Sequence, residues 1–509
     1  MAVVKPRDMN TRVLFFTALL ALSACPRPTA SAPDAAVSAK EVALTLLITG
    51  SENGYLLPNP DDLGVSRGGA AELLGRWVKM HGHCPGALKN GEAPCEASTT
   101  LVLSTGDNGN GASISSYFRS VPAAEAMAYM GYAASAFGNR ELDFGRDQFV
   151  SNAKKGAYPY LAADLRAQDD GARAMGLLPM KVFVRNGMKV AVIGLTSKKS
   201  ITTLMAGRTA GFEVLTDEAA LGQAVPLART AGADATVIIT DNCLATLAPT
   251  IEKHPEWNLA VVAGRACDRT FPERAGTALL AYPGRHFNDY VAVKLSFSGD
   301  KKLSGVSGEA FEVINDATAP AADAQLTKLI AGWKARRDEA LGEEIGFLKA
   351  KLEQTDPAMS VWLATAIREQ TGSQFGLINR KGMRQGLAAG KLTKSSVYDV
   401  IPFENSVVIA TLNGADVIQS FDNPEARVSG ASKKAGVWVD ANGLKLEAMQ
   451  KYKMATLDYL YFGGDGFQIE SKDLGPRFTG MGWQTTVIDW TKKLATTEQL
   501  PLEDALKKH

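Results

Sequence analysis

An excess of charge of one sign is what this sequence most plainly lacks, with 55 Lys and Arg residues against 54 Asp and Glu residues. This balance gives no electrostatic reason to expect nucleic acid as a partner. The apolar fraction of 46% and the charged fraction of 21% are typical of a soluble globular protein. A chain of 509 residues is too long for one ordinary core, so we expect two large domains.

The start of the chain also lacks a long apolar run, because residues 13–22 are all that it offers before Cys25. A run of this length cannot span a bilayer as a stable helix, but it fits the apolar region of a secretory signal. The small residues before Cys25 resemble a bacterial lipobox. We predict that residues 1–25 are a lipoprotein signal with the lipid on Cys25; an ordinary signal peptide is the alternative. Residues 26–40 are rich in Pro, Ala and Ser and predict a flexible tether.

Cysteine is scarce, and only four cysteines remain besides Cys25. An even number in an oxidising compartment suggests pairing. Cys84 and Cys95 bracket a loop rich in Gly, Pro and Asn, which favours a local disulfide. Cys243 and Cys267 follow neighbouring predicted strands. They are either a structural disulfide or buried thiols, or else a redox-active or soft-metal pair.

Short apolar runs alternate with helical patterns between residues 41 and 315, which predicts a layered α/β domain. An amphipathic, charged helix within residues 316–343 is the predicted connector, and a second, smaller α/β domain occupies residues 344–509. The first domain has predicted strands at 44–49, 101–104, 189–196, 235–240 and 259–263 and predicted helices at 70–81, 123–130 and 218–231. The second has a predicted helix at 357–371 and predicted strands at 375–378 and 407–411.

Polar motifs follow the predicted strands of the first domain, where α/β domains gather functional residues. They read TGSENGYL at 49–56, GDN at 106–108 and GNRELD at 138–143. Their order and spacing resemble the 5′-nucleotidase/UDP-sugar hydrolase family, whose patterns are T-N-D-x-H-G-H, G-D and G-N-H-E-F-D. The resemblance implies a metallophosphoesterase-like α/β sandwich followed by a 5′-nucleotidase C-terminal domain.

The resemblance also implies a pair of divalent metals that activates water and clamps phosphoryl oxygens. Asp107 and Asn139 match two of the seven ligands and are the residual metal and catalytic candidates. Arg140 stands where the family has a catalytic His, and Arg265 stands where it has a ligating His. None of the five histidines falls on a ligand position: His81, His83, His254, His286 and His509. We therefore expect no cofactor and a lost metal pair.

Three interpretations of this degenerate site stay open. Asp107 and Asn139 can serve only as turn residues at strand ends. Alternatively, Arg140 and Arg265 replace the metals electrostatically and bind a phosphate, because guanidinium groups match its geometry and keep their proton. In that case both should lie at the carboxyl edge of the sheet beside Asp107. A metal site of altered type is the third possibility, with Asp241 and Glu52 added to the remaining ligands.

The second domain keeps more of the family pattern. The motifs NRKGMR at 379–384, PFEN at 402–405 and YLYFGGDGF at 459–467 resemble N-G-G-G-x-R, P-F-G-N and F-x-x-x-G-G-D-G-Y. The resemblance implies a substrate pocket with two stacking rings, a phosphate-binding Arg and a sugar-binding Asp. The rings would be Phe403 and Tyr459, the arginine Arg384 and the aspartate Asp465, and Asn379 is a further candidate for substrate binding. Arg380 and Lys381 replace two glycines and either crowd the pocket or add charge to it.

Taken together, the sequence predicts an envelope lipoprotein, periplasmic or at the cell surface. It would bind a nucleotide-like or phosphorylated small molecule with weak or no hydrolysis, and a protein partner is possible. An active hydrolase with an atypical metal set is the first alternative. A thiol-based redox protein on this fold is the second.

Overall fold

The structure is a computed structural model that describes residues 41–61, 63–86, 99–198, 201, 208–267 and 273–508. The predicted signal, tether and lipid anchor at Cys25 lie outside these residues, as does Cys95. Within the described part of the chain, no helix is both long and apolar enough to cross a membrane.

The first sheet has six strands in the described residues and combines a parallel half with an antiparallel edge. The strands Val42–Thr49, Thr100–Ser104, Tyr132–Ala136 and Tyr160–Leu161 run parallel, and two antiparallel strands extend the sheet beyond the first of them. In spatial order they are Leu303–Glu312, Asp289–Phe297, Val42–Thr49, Thr100–Ser104, Tyr132–Ala136 and Tyr160–Leu161. The carboxyl ends of the parallel strands therefore meet at one edge.

The second sheet also has six strands among the residues described, and its central strands are parallel. In spatial order they are Arg274–Ala275, Ala278–Ala281, Val261–Arg265, Ala235–Cys243, Met188–Leu195 and Met180–Arg185. The two outermost strands pair antiparallel with their neighbours. The carboxyl ends of its parallel strands therefore lie side by side at one edge of this second sheet.

Side-chain alternation explains why the two sheets pack face to face, since successive side chains of a strand point to opposite faces. Leu46 and Ile48 lie in one core cluster with Val192 and Val237 of the second sheet, whereas Leu47 packs with the outer helices. The helices that cover the first sheet are Ala70–His81, Val121–Tyr129 and Arg146–Gly156, and those against the second are Asp217–Thr230 and Leu244–Lys253. The result is helix, sheet, sheet, helix in layers, in agreement with the layered α/β architecture that the sequence predicted.

Helix Ala70–His81 shows how local sequence sets these bounds. Leu73, Leu74 and Trp77 are fully buried at helical spacing, so one stripe faces the sheet. Gly82 then adopts a left-handed conformation with φ of 61° and ends the helix. Short helices Ser113–Ser116 and Asp170–Ala174 complete this half.

Helix Ala324–Leu341 connects the two halves and packs on the first, where Leu326 and Ile330 join its core. The third sheet then has five strands in the described residues, in the order Ala426–Ser429, Phe375–Asn379, Lys451–Leu457, Ser406–Asn413 and Arg477–Gly482. Its helices are Pro357–Thr371, Lys394–Val400, Gly414–Phe421, Asp458–Tyr461, Trp483–Leu494 and Leu502–Ala505. Trp362 and Trp483 are fully buried in this second core. The mixed α/β fold class that the sequence predicted is confirmed.

Two-stranded ribbons complete the chain: Asn59–Pro60 with Ser66–Arg67, Leu165–Ala167 with Phe212–Val214, Glu344–Leu348 with Gly390–Thr393, and Ala431–Lys434 with Val437–Asp440.

Candidate functional site

Asp107 is fixed at the carboxyl edge of the first sheet. It follows strand Thr100–Ser104 in a left-handed conformation, with φ of 61°. Its Oδ1 accepts a hydrogen bond from the backbone N of Arg140 at 3.1 Å. The loop of Gly138 approaches so closely that a Cβ there would lie 2.3 Å from Asp107 Oδ1. The carboxylate is therefore held by the backbone of a neighbouring loop.

Arg140 and Arg265 both lie against this carboxylate. Arg140 begins the short 3₁₀ turn Arg140–Leu142, and its Nη1 lies 3.1 Å from Asp143 Oδ2. Arg265 ends its strand in the second sheet, with Nη1 3.8 Å from Asp107 Oδ2. Burial works to lower the pKa of Arg140, but the charges of Asp143 and Asp107 outweigh it and leave the pKa above its ordinary value. Asp107 thus joins the edges of the two sheets.

A third guanidinium reaches this place from the second half of the chain. Arg384 lies 5.7 Å from the centroid of the Phe403 ring, and Arg140 lies over the same ring at 4.9 Å. The charge of Arg140, together with burial, lowers the pKa of Arg384 to about 10. Three guanidiniums and the carboxylates of Asp107 and Asp143 therefore lie close together where the two halves of the chain meet, and we call this place the cleft.

Two buried glutamates support the loops beneath the cleft. Glu52 is fully buried and accepts hydrogen bonds from the hydroxyls of Thr49 and Ser104, and burial raises its pKa to about 7. Glu141 accepts from the backbone N atoms of Asn108 at 2.9 Å and of Gly138 at 3.0 Å. Burial, with the charge of Asp107, raises the pKa of Glu141 far above its usual range. The sequence analysis missed Glu141, although its place within GNRELD was the available signal.

The described residues do not fit the metal pair that the resemblance implies. They contain no group of three or more His, Cys, Asp or Glu side chains arranged to hold a metal ion. Glu52 is turned into hydrogen bonds with Thr49 and Ser104. A divalent cation at Asp107 would also meet the positive charge of the Arg265 guanidinium, 3.8 Å from this carboxylate, and the nearby charge of Arg140.

The predicted sugar-binding residue, Asp465, is engaged by its own chain. Its Oδ2 accepts a hydrogen bond from Asn379 Nδ2 at 2.7 Å, and its Oδ1 lies 3.4 Å from the Tyr459 hydroxyl. Lys381 Nζ lies 3.6 Å from the same Oδ1. Burial and the charge of Asp465 raise the pKa of Tyr459 to about 12. The side chain of Asp465 is only 5% exposed, so these contacts enclose it.

Arg380 and Lys381 lie at the exposed rim of this pocket. Both form ion pairs with Glu425, at 3.2 Å and 3.0 Å. Of the two effects that the sequence suggested for these replacements of glycine, added charge is the one that this geometry favours.

Two of the cysteines stand beside Arg265. Cys243 and Cys267 form a disulfide with their Cα atoms 5.5 Å apart. Cys243 also pairs with Arg265 in the register of the two strands. The disulfide thus cross-links the two neighbouring strand ends beside Arg265. Cys84 is disulfide-bonded as well, but its predicted partner Cys95 lies outside the described residues.

Sequence analysis also missed a stacked pair near the cleft. The rings of Tyr55 and His286 stack with centroids 3.9 Å apart and planes 19° apart. The Tyr55 hydroxyl donates a hydrogen bond to Gln385 Oε1 at 3.3 Å and so links the two halves of the chain. Burial, with the nearby charges of Arg285 and Arg384, lowers the pKa of His286 to about 3. The ring is therefore neutral at physiological pH.

Comparison with known proteins yields a consistent set of relatives. Residues 343–472 match the family model described as the 5′-nucleotidase C-terminal domain. A Salmonella typhimurium protein named "Silent protein UshA(0)" is 25% identical over 463 residues, which cover 75% of this chain and 81% of that protein. A Vibrio vulnificus protein named 5′-nucleotidase is 23% identical over 458 residues, covering 76% and 80%. The crystal structure of a 5′-nucleotidase precursor from Thermus thermophilus superposes with a TM-score of 0.72 and 19% identity, covering 90% of this chain and 97% of the other. At that identity the likeness shows the fold alone.

Proposed function

The chain belongs to the 5′-nucleotidase family, and from that relationship we propose that it binds a nucleotide-like or otherwise phosphorylated small molecule with little or no hydrolysis. The observation that carries this proposal is the convergence of Arg140, Arg265 and Arg384 on one cleft. Asp107 and Asp143 neutralise only part of this charge.

A phosphate group suits this arrangement for a simple electrostatic reason. Both guanidiniums lie near the Phe403 ring, and their mutual repulsion is the main reason why the pKa of Arg384 is lowered. An anion between them would relieve that repulsion and would receive charge-assisted hydrogen bonds from both planar forks. Arg265 is 42% exposed and lies 3.8 Å from the Asp107 carboxylate, so its remaining N–H donors are accessible to an anion beside Asp107.

The proposal of weak or absent hydrolysis rests on the residues around Asp107. Activation of water by a metal pair needs ligands that the described residues do not assemble. The retention of Asp107 and Asn139 supports the second candidate, an active phosphoester hydrolase with an atypical metal set. In the envelope location that we propose, the lipid on Cys25 would hold either form at the membrane.

Binding is tested on the purified chain by calorimetric titration and thermal unfolding with inorganic phosphate and with AMP. A ligand at one hundred times its Kd should stabilise the folded state by about 2.7 kcal/mol. Arg140→Ala and Arg384→Ala should each abolish the shift. Arg173→Ala is the matched control, because Arg173 is exposed and pairs only locally with Asp170. No shift with either probe, or equal loss in the control, would contradict the proposal.

Hydrolysis is tested with a phosphomonoester assay in Mn²⁺, Zn²⁺, Co²⁺ and Mg²⁺. We expect turnover close to the background rate in all four. Robust turnover that depends on metal and is lost in Asp107→Ala would establish the second candidate instead.

A further inference from the structure

We infer that the cleft recognises the tetrahedral oxyanion of its ligand, such as a phosphate or sulfate ester on a small carrier, and gains no affinity from the base or sugar of a nucleotide. The inference rests on the proposed function and narrows its ligand class. Two surfaces that a nucleoside would need, an open aromatic face and an accessible carboxylate, are already taken by basic side chains of this chain.

The first surface is the ring of Phe403. The Arg140 guanidinium lies over it at 4.9 Å, within the range of a cation–π contact, and Arg384 lies within that range as well. Arg140 is not free to swing away, because its side chain is 12% exposed and paired with Asp143. Its backbone N is also bound to Asp107. A base that stacked on this face would have to displace the Arg140 guanidinium, although Arg140 is held through both its side chain and its backbone.

The second surface is the carboxylate of Asp465. A carboxylate has about four lone-pair directions to offer. Asn379, Tyr459 and Lys381 already lie against its two oxygens. The hydroxyls of a sugar could reach Asp465 only by breaking one of these contacts, because almost none of its surface is exposed. The Tyr459 hydroxyl likewise already contacts Asp465.

The groups that stay available in the cleft are guanidinium donors. Arg384 reaches solvent although neighbouring groups desolvate its guanidinium, and Arg265 keeps 42% of its side chain accessible. Several N–H donors around one opening match the oxygens of a single phosphoryl or sulfuryl group. The chemistry on offer is therefore anion recognition without recognition of a base or a sugar.

The first test is a titration series on the full chain with inorganic phosphate, sulfate, glycerol 3-phosphate, AMP and adenosine. We expect glycerol 3-phosphate and AMP to bind within about threefold of each other, a small difference on the scale of a single hydrogen bond. Adenosine should not bind. Affinity for AMP more than about threefold tighter than for glycerol 3-phosphate, or saturable binding of adenosine, would overturn the inference and leave the proposed function intact. Failure of every oxyanion to bind would overturn both.

The second test removes the residue that covers Asp465. Lys381 is half-exposed, so Lys381→Ala should fold normally. Freeing one carboxylate oxygen for a sugar hydroxyl should raise the affinity for AMP relative to glycerol 3-phosphate by about two- to tenfold. Arg380→Ala is the matched control, since Arg380 pairs with the same Glu425. An unchanged ratio in Lys381→Ala, or an equal change in the control, would overturn the role assigned to Lys381.

Discussion

His286 should make the folded protein lose stability as the pH falls from neutral toward 5. Its ring is buried against Tyr55 beside Arg285 and Arg384, which lowers its pKa to about 3. The unfolded chain takes up the proton near the ordinary pKa of about 6.5. Between these two values the unfolded state binds more protons than the folded state, so stability rises with pH and is lost as the pH falls.

The size of the effect follows from the two pKa values. At pH 7 both states carry a neutral ring, whereas at pH 5 only the unfolded chain is protonated. The difference amounts to about 2 kcal/mol of unfolding free energy between pH 7 and pH 5. For a chain of this size, that corresponds to roughly 2–4 °C in Tm. His286→Asn should remove this dependence. Asn also suits the position because it tolerates the left-handed backbone there, where φ is 57°.

The measurement is urea unfolding of the wild type and of His286→Asn at pH 7 and at pH 5. Other groups that titrate in this range are present in both proteins, so their contributions cancel in the difference. His254 supplies a control of opposite sign, because hydrogen bonds with Glu256 and Glu218 raise its pKa. The charged form of His254 stabilises the fold at low pH, and this contribution is lost as the pH rises. The variant His254→Asn should therefore be destabilised relative to the wild type more strongly at pH 5 than at pH 7 or above. If His286→Asn keeps the pH dependence of the wild type, the folded ring is protonated and the reasoning from burial is wrong.

Three further outcomes are expected. Because burial raises the pKa of Glu52 to about 7, its ionised form destabilises the fold above that pH. Glu52→Gln should thus be more stabilising at pH 8 than at pH 5, by about 2 kcal/mol in urea unfolding; equal effects at the two pH values would contradict this. The double variant Cys243→Ser/Cys267→Ser removes a cross-link between residues 24 apart in the chain. It should lose about 3 kcal/mol, and reductant should then have no further effect at this site. Cys25→Ser should move the protein into the soluble fraction on cell fractionation, and retention in the membrane would refute the predicted lipid anchor.

Periodicity was sufficient to predict most of the layered fold. The predicted strand at 44–49 is Val42–Thr49 in the structure, and the predicted helix at 70–81 has the same bounds. The apolar residues of 70–81 recur at helical spacing, whereas the run at 44–49 is short and bounded by polar residues, which favours a strand. The antiparallel strand Leu303–Glu312 was not predicted, because its side chains are mostly exposed and give little apolar signal.

The candidate site could be predicted in part only. Arg140, Arg265 and Asp107 were expected at one sheet edge, because each follows a strand, and the structure places both arginines against Asp107. The position of Arg140 over Phe403 could not be inferred, since these residues are far apart in sequence and meet only when the two halves pack together. Phe403 was predicted as a base-stacking ring on the pattern of its loop alone.

The contact of Lys381 with Asp465 could not be predicted from the sequence either. The sequence showed a lysine in place of a glycine but could not show its direction. That direction depends on three separate loops, which also bring Asn379 and Tyr459 to the same carboxylate.

The close approach of Gly138 to Asp107 limits which residues position 138 can tolerate. Any side chain at this position would collide with Asp107 and push apart the loop whose backbone holds that carboxylate. This turn therefore needs glycine at position 138 as long as Asp107 follows the neighbouring strand, whatever chemistry occurs in the cleft. In a saturation mutagenesis screen for folded protein alone, Gly138 should be as intolerant as a core residue. The fold alone can thus require this glycine, independently of any catalytic role of the motif that contains it.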